Sequence, residues 1–174
     1  MDMMLTIPNT LSKQSDGFLI KNPTKTTNVY TFTEEAKAAD ELKLSQQDQI
    51  AELKAFLKDY DMTSISTDEL KVVGRRLYES GVIDTNAFGI FISGDGGFDA
   101  QGRQANTHVK YNALALFDEQ LEDYLSFVKS NPNVGRSQGV PEYIQGMLDA
   151  NRAINALAYF VNSSRDDLSV DEYV

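Results

Sequence analysis

The part of the chain best equipped for chemistry is a glycine-rich polar loop at residues 93–106, with the sequence SGDGGFDAQGRQAN. Asp95 and Asp99 could supply the carboxylate oxygens that Ca2+ and Mg2+ prefer. The calcium-loop pattern requires glycine at its sixth position and glutamate at its twelfth, but a count from Asp95 places Ala100 and Asn106 there. The loop is therefore expected to be a connection between helices, and a ligand or metal loop is the alternative.

His108 is the single histidine of the chain and lies just after this loop. In a catalytic interpretation, it acts as a general base that Asp95 or Asp99 orients. It cannot form the usual zinc site, because the chain has no second histidine and no cysteine to share the metal. These residues define the alternative function: a small-ligand-binding protein or enzyme, or a Ca/Mg-binding module, that uses loop 93–106 with His108.

Other signatures of catalysis are missing from the sequence. The patterns His-Glu-x-x-His, Glu-x-x-His and Gly-x-Ser-x-Gly do not occur. Carboxylates spaced four residues apart, such as Asp118 with Glu122 and Glu119 with Asp123, fall on the polar face of a predicted helix. Such a face is typically solvated. No metal site and no cofactor is predicted, and the chain is more typical of a binding protein than of an enzyme.

The charge of the chain restricts the partners it can have. Sixteen Lys and Arg residues against 26 Asp and Glu residues give a formal net charge of −10. This charge disfavours nucleic acid, whose phosphates require clustered cations, and also anionic membrane surfaces. No apolar run approaches the roughly 18–20 residues of a membrane span, and no cleavable leader is visible. We expect a soluble cytoplasmic protein, with export without a cleaved signal as the alternative.

The elements that must position these residues divide the chain into three parts. Residues 1–30 are rich in Thr, Asn, Ser and Lys, which predicts an extended or partly disordered N-terminal arm. Residues 31–162 have apolar positions at helical spacing, which predicts an all-α domain: a bundle of about five helices with a central hairpin. One of these helices is predicted to begin near Thr107 and end near Ser130. Residues 163–174 are predicted to be an acidic C-terminal tail.

The central hairpin is predicted from its capping residues at positions 65–94. Ser66 followed by Glu69 is a capping box, which marks the start of the first helix. Gly81 stands where a helix end favours a left-handed residue, and Asp84 is the expected cap of the second helix. Gly94 then ends that second helix.

The second helix of the hairpin, at residues 85–93, is apolar on nearly every side. Such a helix is buried either by its own domain or by a partner. Phe88, Phe91 and Ile92 are therefore the predicted partner surface. We expect a non-enzymatic protein–protein interaction protein, in the form of a small acidic helical adaptor or a chaperone-like or secretion-associated bacterial factor. Its partner is expected to be another protein or a second copy of the chain.

The first helix of the hairpin carries a small basic patch of Lys71, Arg75 and Arg76. A DNA-binding helix-turn-helix would place polar and basic side chains of its second helix in the major groove. Residues 85–93 contain no Lys or Arg, so the hairpin is not expected to bind nucleic acid.

Overall fold

A computed structural model describes residues 24–170, with the backbone alone given for 165–170. Residues 1–23 of the predicted arm and 171–174 of the predicted tail lie outside the described residues. The described part has seven helices and one small two-stranded sheet, which confirms the all-α prediction. The helices are α1 (Glu35–Glu41), α2 (Gln47–Leu57), α3 (Thr67–Glu79), α4 (Thr85–Ser93), α5 (Ala113–Ser130), α6 (Pro132–Gly135) and α7 (Val140–Val170). The strands are β1 (Ile65–Ser66) and β2 (Lys110–Tyr111).

Helix α7 forms the centre of the bundle, because α1, α2, α4 and α5 all pack against it. Its buried face combines large apolar side chains such as Ile154 and Leu157 with several alanines. The small alanine side chains let neighbouring helices approach closely, and the larger ones fill the space between them. The helical backbone continues to Val170, beyond position 162, which is the predicted end of the helical domain.

The helix that was predicted to begin near Thr107 begins at Ala113 instead. Residues Lys110–Tyr111 are extended and pair with β1, with Tyr111 opposite Ile65. Asn112 then caps α5, since its Oδ1 accepts a hydrogen bond from the Ala115 amide at 3.1 Å. The predicted start was wrong because this strand pairing joins segments that are distant in sequence, which helical periodicity cannot reveal.

The described part of the predicted arm, from residue 24, docks on the body of the protein. The Lys25 ammonium forms an ion pair with the Asp118 carboxylate of α5, and its carbonyl oxygen accepts a hydrogen bond from Asn112 Nδ2 at 2.7 Å. Asp118 and Glu119 are only 3% and 2% exposed. The interpretation as a solvated face was therefore wrong for Asp118 and Glu119, because α5 turns them into the protein interior, whereas Glu122 is exposed.

Candidate functional site

The hairpin of α3 and α4 has the ends that its sequence predicts. Ser66 Oγ accepts a hydrogen bond from the Glu69 amide at 3.2 Å, and the Glu69 carboxylate accepts one from the Ser66 amide at 2.8 Å. Gly81 has a φ of +70°. Asp84 Oδ1 accepts a hydrogen bond from the Ala87 amide at 2.9 Å. These local contacts fix where both helices of the hairpin begin and where the chain turns between them.

The two helices of the hairpin run antiparallel and approach each other closely. A Cβ atom added to Gly74 would lie 2.5 Å from the Cβ of Phe91, so only glycine fits at this contact. One turn further along α3, the Tyr78 ring stacks on the Phe88 ring, with centroids 4.9 Å apart. This packing fixes which side chains of α4 lie beside which side chains of α3.

The structure separates the three residues of the predicted partner surface. Phe91 is 0% exposed and packs edge-to-face against Phe117, with ring centroids 5.3 Å apart. A fully buried side chain cannot contact a partner, so assigning Phe91 to a surface was wrong and it belongs to the core. Phe88 is half-buried, and Ile92 is 37% exposed. The solvent-facing half of α4 therefore includes Phe88 and Ile92 together with exposed polar residues, namely Thr85, Asn86 and Ser93.

A shallow groove of about 400 Å3 lies on this outer side of the hairpin. Its lining residues are Lys71 and Arg75 from α3, Phe88, Ile92 and Ser93 from α4, and Gln104 from the following loop. We call it the α3–α4 groove. Gln104 is held in place because its Nε2 donates a hydrogen bond to the Ile92 carbonyl at 2.7 Å. Two basic side chains therefore lie beside an apolar floor that consists of Phe88 and Ile92.

The two cations of the groove are weakly neutralised. Lys71 Nζ lies 3.9 Å from the Asp68 carboxylate, a partly exposed contact at the limit of an ion pair. Arg75 is exposed, and its guanidinium forms no ion pair or hydrogen bond with any residue between 24 and 170 whose side chain is described. Arg76, the third residue of the predicted basic patch, instead pairs with Glu52 at 2.6 Å and lies over the Phe56 ring. The basic patch that borders the groove therefore consists of Lys71 and Arg75.

Loop 93–106 uses its own carboxylates to hold its turns together. Asp95 Oδ1 accepts a hydrogen bond from the Gly97 amide at 3.1 Å. Asp99 Oδ1 accepts one from the Arg103 amide at 2.9 Å, and its Oδ2 accepts another from Arg103 Nε at 2.9 Å. These bonds, first of all the one from the Arg103 amide, lower the pKa of Asp99. Both predicted ligand residues thus have a structural role within the loop.

The base of the same loop packs against two hydroxyl groups. Thr67 Oγ1 and Tyr111 Oη lie 2.8 Å apart, and a Cβ atom on Gly94 would collide with both residues. Gly94 also has a φ of +54°, which favours glycine. Burial raises the pKa of Tyr111. The hydroxyl pair therefore anchors the start of the loop to α3 and β2.

His108 is exposed and lies between the loop and β2, in a segment that was predicted to be helical. It forms no hydrogen bond or ion pair within the described part of the chain. Among the described residues, no group of three or more His, Cys, Asp or Glu side chains is placed to hold a metal ion. The structure therefore does not assemble Asp95, Asp99 and His108 into a metal-binding group.

A second cleft, of about 380 Å3, was not predicted from the sequence. The acidic residues that line it are Asp40, Glu41, Asp84 and Asp149, and Lys43 is the basic residue among them. Burial raises the pKa of Glu41, and the nearby Arg152 opposes this effect. Lys43 is bound across the cleft, since its Nζ donates a hydrogen bond to the Gly81 carbonyl at 2.6 Å. No sequence spacing predicts this cleft, because α1 and α7 contribute residues that are far apart along the chain.

Comparison of the chain with protein-family models, with curated proteins and with solved structures gave no match. Within residues 24–170, no helix has the length and apolar character needed to cross a membrane. The site must therefore be interpreted from its own geometry.

Proposed function

We propose that this protein is a non-enzymatic interaction protein that binds a protein partner through the α3–α4 groove. The observation that carries the proposal is the position of Phe88 and Ile92. They lie on the solvent-facing half of α4, opposite its buried half, and Lys71 and Arg75 border them. Protein interfaces typically combine an apolar centre with a polar or charged rim.

The exposed surface around the groove extends along α3. Val72 and Tyr78 are among the large apolar side chains that remain exposed there. A stable interface buries about 800 Å2 on each partner, which is more than one groove provides. The groove would thus be the anchor of a larger contact that includes these α3 residues.

Several finer features belong to the same proposal. The acidic chain acts as a small helical adaptor, a chaperone-like factor or a secretion-associated factor of a bacterium. Its net charge of −10 favours a protein partner over nucleic acid. A second copy of the chain is the alternative partner. We place the protein in the cytoplasm, with export without a cleaved signal as the alternative.

A ligand or metal site at loop 93–106 has less support. The carboxylates of Asp95 and Asp99 accept hydrogen bonds from the loop itself, and His108 has no orienting partner among the described residues. A general base needs such a partner or a bound substrate within hydrogen-bond reach. The loop oxygens remain the alternative site for a small ligand or for Ca2+ or Mg2+.

The proposal is tested by affinity capture from a lysate of the source organism. The intact chain is compared with Ile92→Asp and with Leu125→Asp, a matched control on α5 whose side chain is 41% exposed. We expect the same proteins to be captured by the intact chain and by the control, and to be lost with Ile92→Asp. Equal capture by all three proteins would contradict a role for the groove. So would no capture at all from a chain that is monomeric by light scattering.

A further inference from the structure

We propose that the α3–α4 groove accepts an acidic segment of a partner protein, with two carboxylates and two apolar side chains each spaced by one helical turn. This inference rests on the proposed function and specifies the chemistry of the partner. It follows from the arrangement of the side chains in the groove and from their charges.

The cations and the apolar residues of the groove form two rows. Lys71 and Arg75 are four residues apart on α3, and Phe88 and Ile92 are four residues apart on α4. Each pair therefore spans about 6 Å along its helix. Because Gly74 meets Phe91 and Tyr78 stacks on Phe88, the two helices run side by side in opposite directions. An amphipathic helix with acidic and apolar residues at the same spacing matches both rows.

The charges of the groove select carboxylates. The lining residues include two cations and no carboxylate. Arg75 has no ion-pair partner among the described side chains, so its guanidinium is available to a ligand. A guanidinium can bind a carboxylate through two parallel hydrogen bonds. Asp68 competes for Lys71 only weakly, at 3.9 Å. The groove therefore offers one strong and one weaker position for a carboxylate.

The overall charge of −10 does not prevent an acidic segment from binding here. At physiological ionic strength the Debye length is about 8 Å, so charges on the far side of the protein are largely screened. Among the nearest charges, Lys71 and Arg75 outnumber the Asp68 carboxylate, which lies 3.9 Å from Lys71 Nζ, so the local potential is positive. The same overall charge disfavours nucleic acid, which needs many phosphate contacts where the groove offers two cations. Apolar side chains of a protein segment would also contact the apolar floor of the groove, whereas phosphate groups would not.

The experiment is a titration of the full-length chain, labelled with 15N, with a helical probe peptide of about 18 residues. The peptide carries two Glu residues four apart and two Leu residues four apart on the adjacent face. A matched peptide has Lys in place of both Glu residues, and a single-stranded oligonucleotide serves as a third probe. We expect saturable shifts of the amide signals of α3 and α4 around the groove with the Glu peptide alone. The affinity should fall as salt is raised.

Two double variants with equal changes of net charge separate the groove from the overall charge. The first variant, Lys71→Glu with Arg75→Glu, reverses the charge of the groove. The second, Lys58→Glu with Arg136→Glu, reverses the charge of two exposed side chains outside the groove lining. Reversal of the charge of the groove should lower the affinity for the Glu peptide by about tenfold or more, since each lost ion pair becomes a repulsion. It should also create binding of the Lys peptide. The control variant should change the affinity for the Glu peptide by less than about twofold.

The inference is overturned if the Glu peptide causes no shifts at the groove. It is also overturned if the Lys peptide or the oligonucleotide binds there equally well, or if both double variants weaken binding alike. These outcomes are distinct from failure of the proposed function. If Ile92→Asp abolishes capture of a partner while the Glu peptide does not bind, the groove is an interface for a partner of different chemistry.

Discussion

Replacement of Gly74 by alanine probes the close contact that holds the hairpin together. The new Cβ would lie 2.5 Å from the Cβ of Phe91, whereas ordinary van der Waals contact begins at 3.4 Å. The position of a Cβ atom is set by its backbone, so no rotamer change of Phe91 relieves the collision. Helix α4 must therefore move away from α3, although α7 packs against it.

The net effect is the difference between two opposing contributions. Alanine is favoured over glycine inside a helix by about 1 kcal/mol. Overpacking of a tight core costs about 1–3 kcal/mol, and occasionally more. The collision at Gly74 is with a backbone-fixed atom, which places the cost at the upper end of that range. We expect the free energy of unfolding to fall by about 1–2 kcal/mol, which lowers Tm by roughly 2–8 °C for a chain of this size.

Gly89 on α4 provides a matched control for this substitution. An added Cβ there has no atom within 4 Å, so Gly89→Ala should raise the free energy of unfolding by about 0.5–1 kcal/mol. Both variants are measured by urea denaturation followed by circular dichroism. If Gly74→Ala is at least as stable as the unaltered protein while Gly89→Ala is stabilised as expected, the described contact between α3 and α4 is incorrect.

Three further substitutions test the capping, the docked arm and the buried hydroxyl pair. Ser66→Ala removes the acceptor at the start of α3 and should cost about 1 kcal/mol in urea denaturation. Lys25→Met leaves the buried Asp118 carboxylate without its cation and should cost about 1–3 kcal/mol in the same assay. Burial raises the pKa of Tyr111, so the unfolded chain loses this proton first as the pH rises, and stability falls above a pH of about 10. Tyr111→Phe should lose less stability above that pH than the unaltered protein does.

Each of these substitutions also has an outcome that contradicts its reasoning. Ser64 is exposed and lies three residues before the first residue of α3, so a loss from Ser64→Ala equal to that from Ser66→Ala would argue against a specific cap. An unchanged stability of Lys25→Met would mean that the ion pair with Asp118 does not stabilise the fold. An identical fall in stability for Tyr111→Phe above a pH of about 10 would mean that Tyr111 is not shielded from solvent.

The hairpin could be predicted from the sequence because its determinants are local. Each capping hydrogen bond joins residues that are three positions apart, within one helical turn: Ser66 with Glu69, and Asp84 with Ala87. The pairing of Ile65 with Tyr111 joins distant segments and has no local signal. The same holds for the ion pair of Lys25 and Asp118, which are separated by 93 positions. Contacts of this kind fixed the start of α5 and the burial of its carboxylates.

The candidate site was predicted in part for a related reason. An apolar helix signals that it is buried, but not which of its sides stays exposed. Phe91 and Ile92 are adjacent and so point about 100° apart around α4. The packing of Gly74 and Phe117 then decides that Phe91 is core and that Ile92 borders the groove. Lys71 and Arg75 were visible as basic residues, but their place beside Phe88 depends on how the hairpin closes.

Contact between the α3–α4 groove and a partner protein can be detected by site-specific photo-crosslinking in the source organism. A photoreactive benzoylphenylalanine is placed at Ile92 in one strain and at Leu125 of α5 in another, since both side chains are partly exposed on helices. We expect a discrete crosslinked adduct from position 92 and none from position 125. Adducts from position 125 alone, or none from position 92 in a correctly folded protein, would contradict contact at the groove.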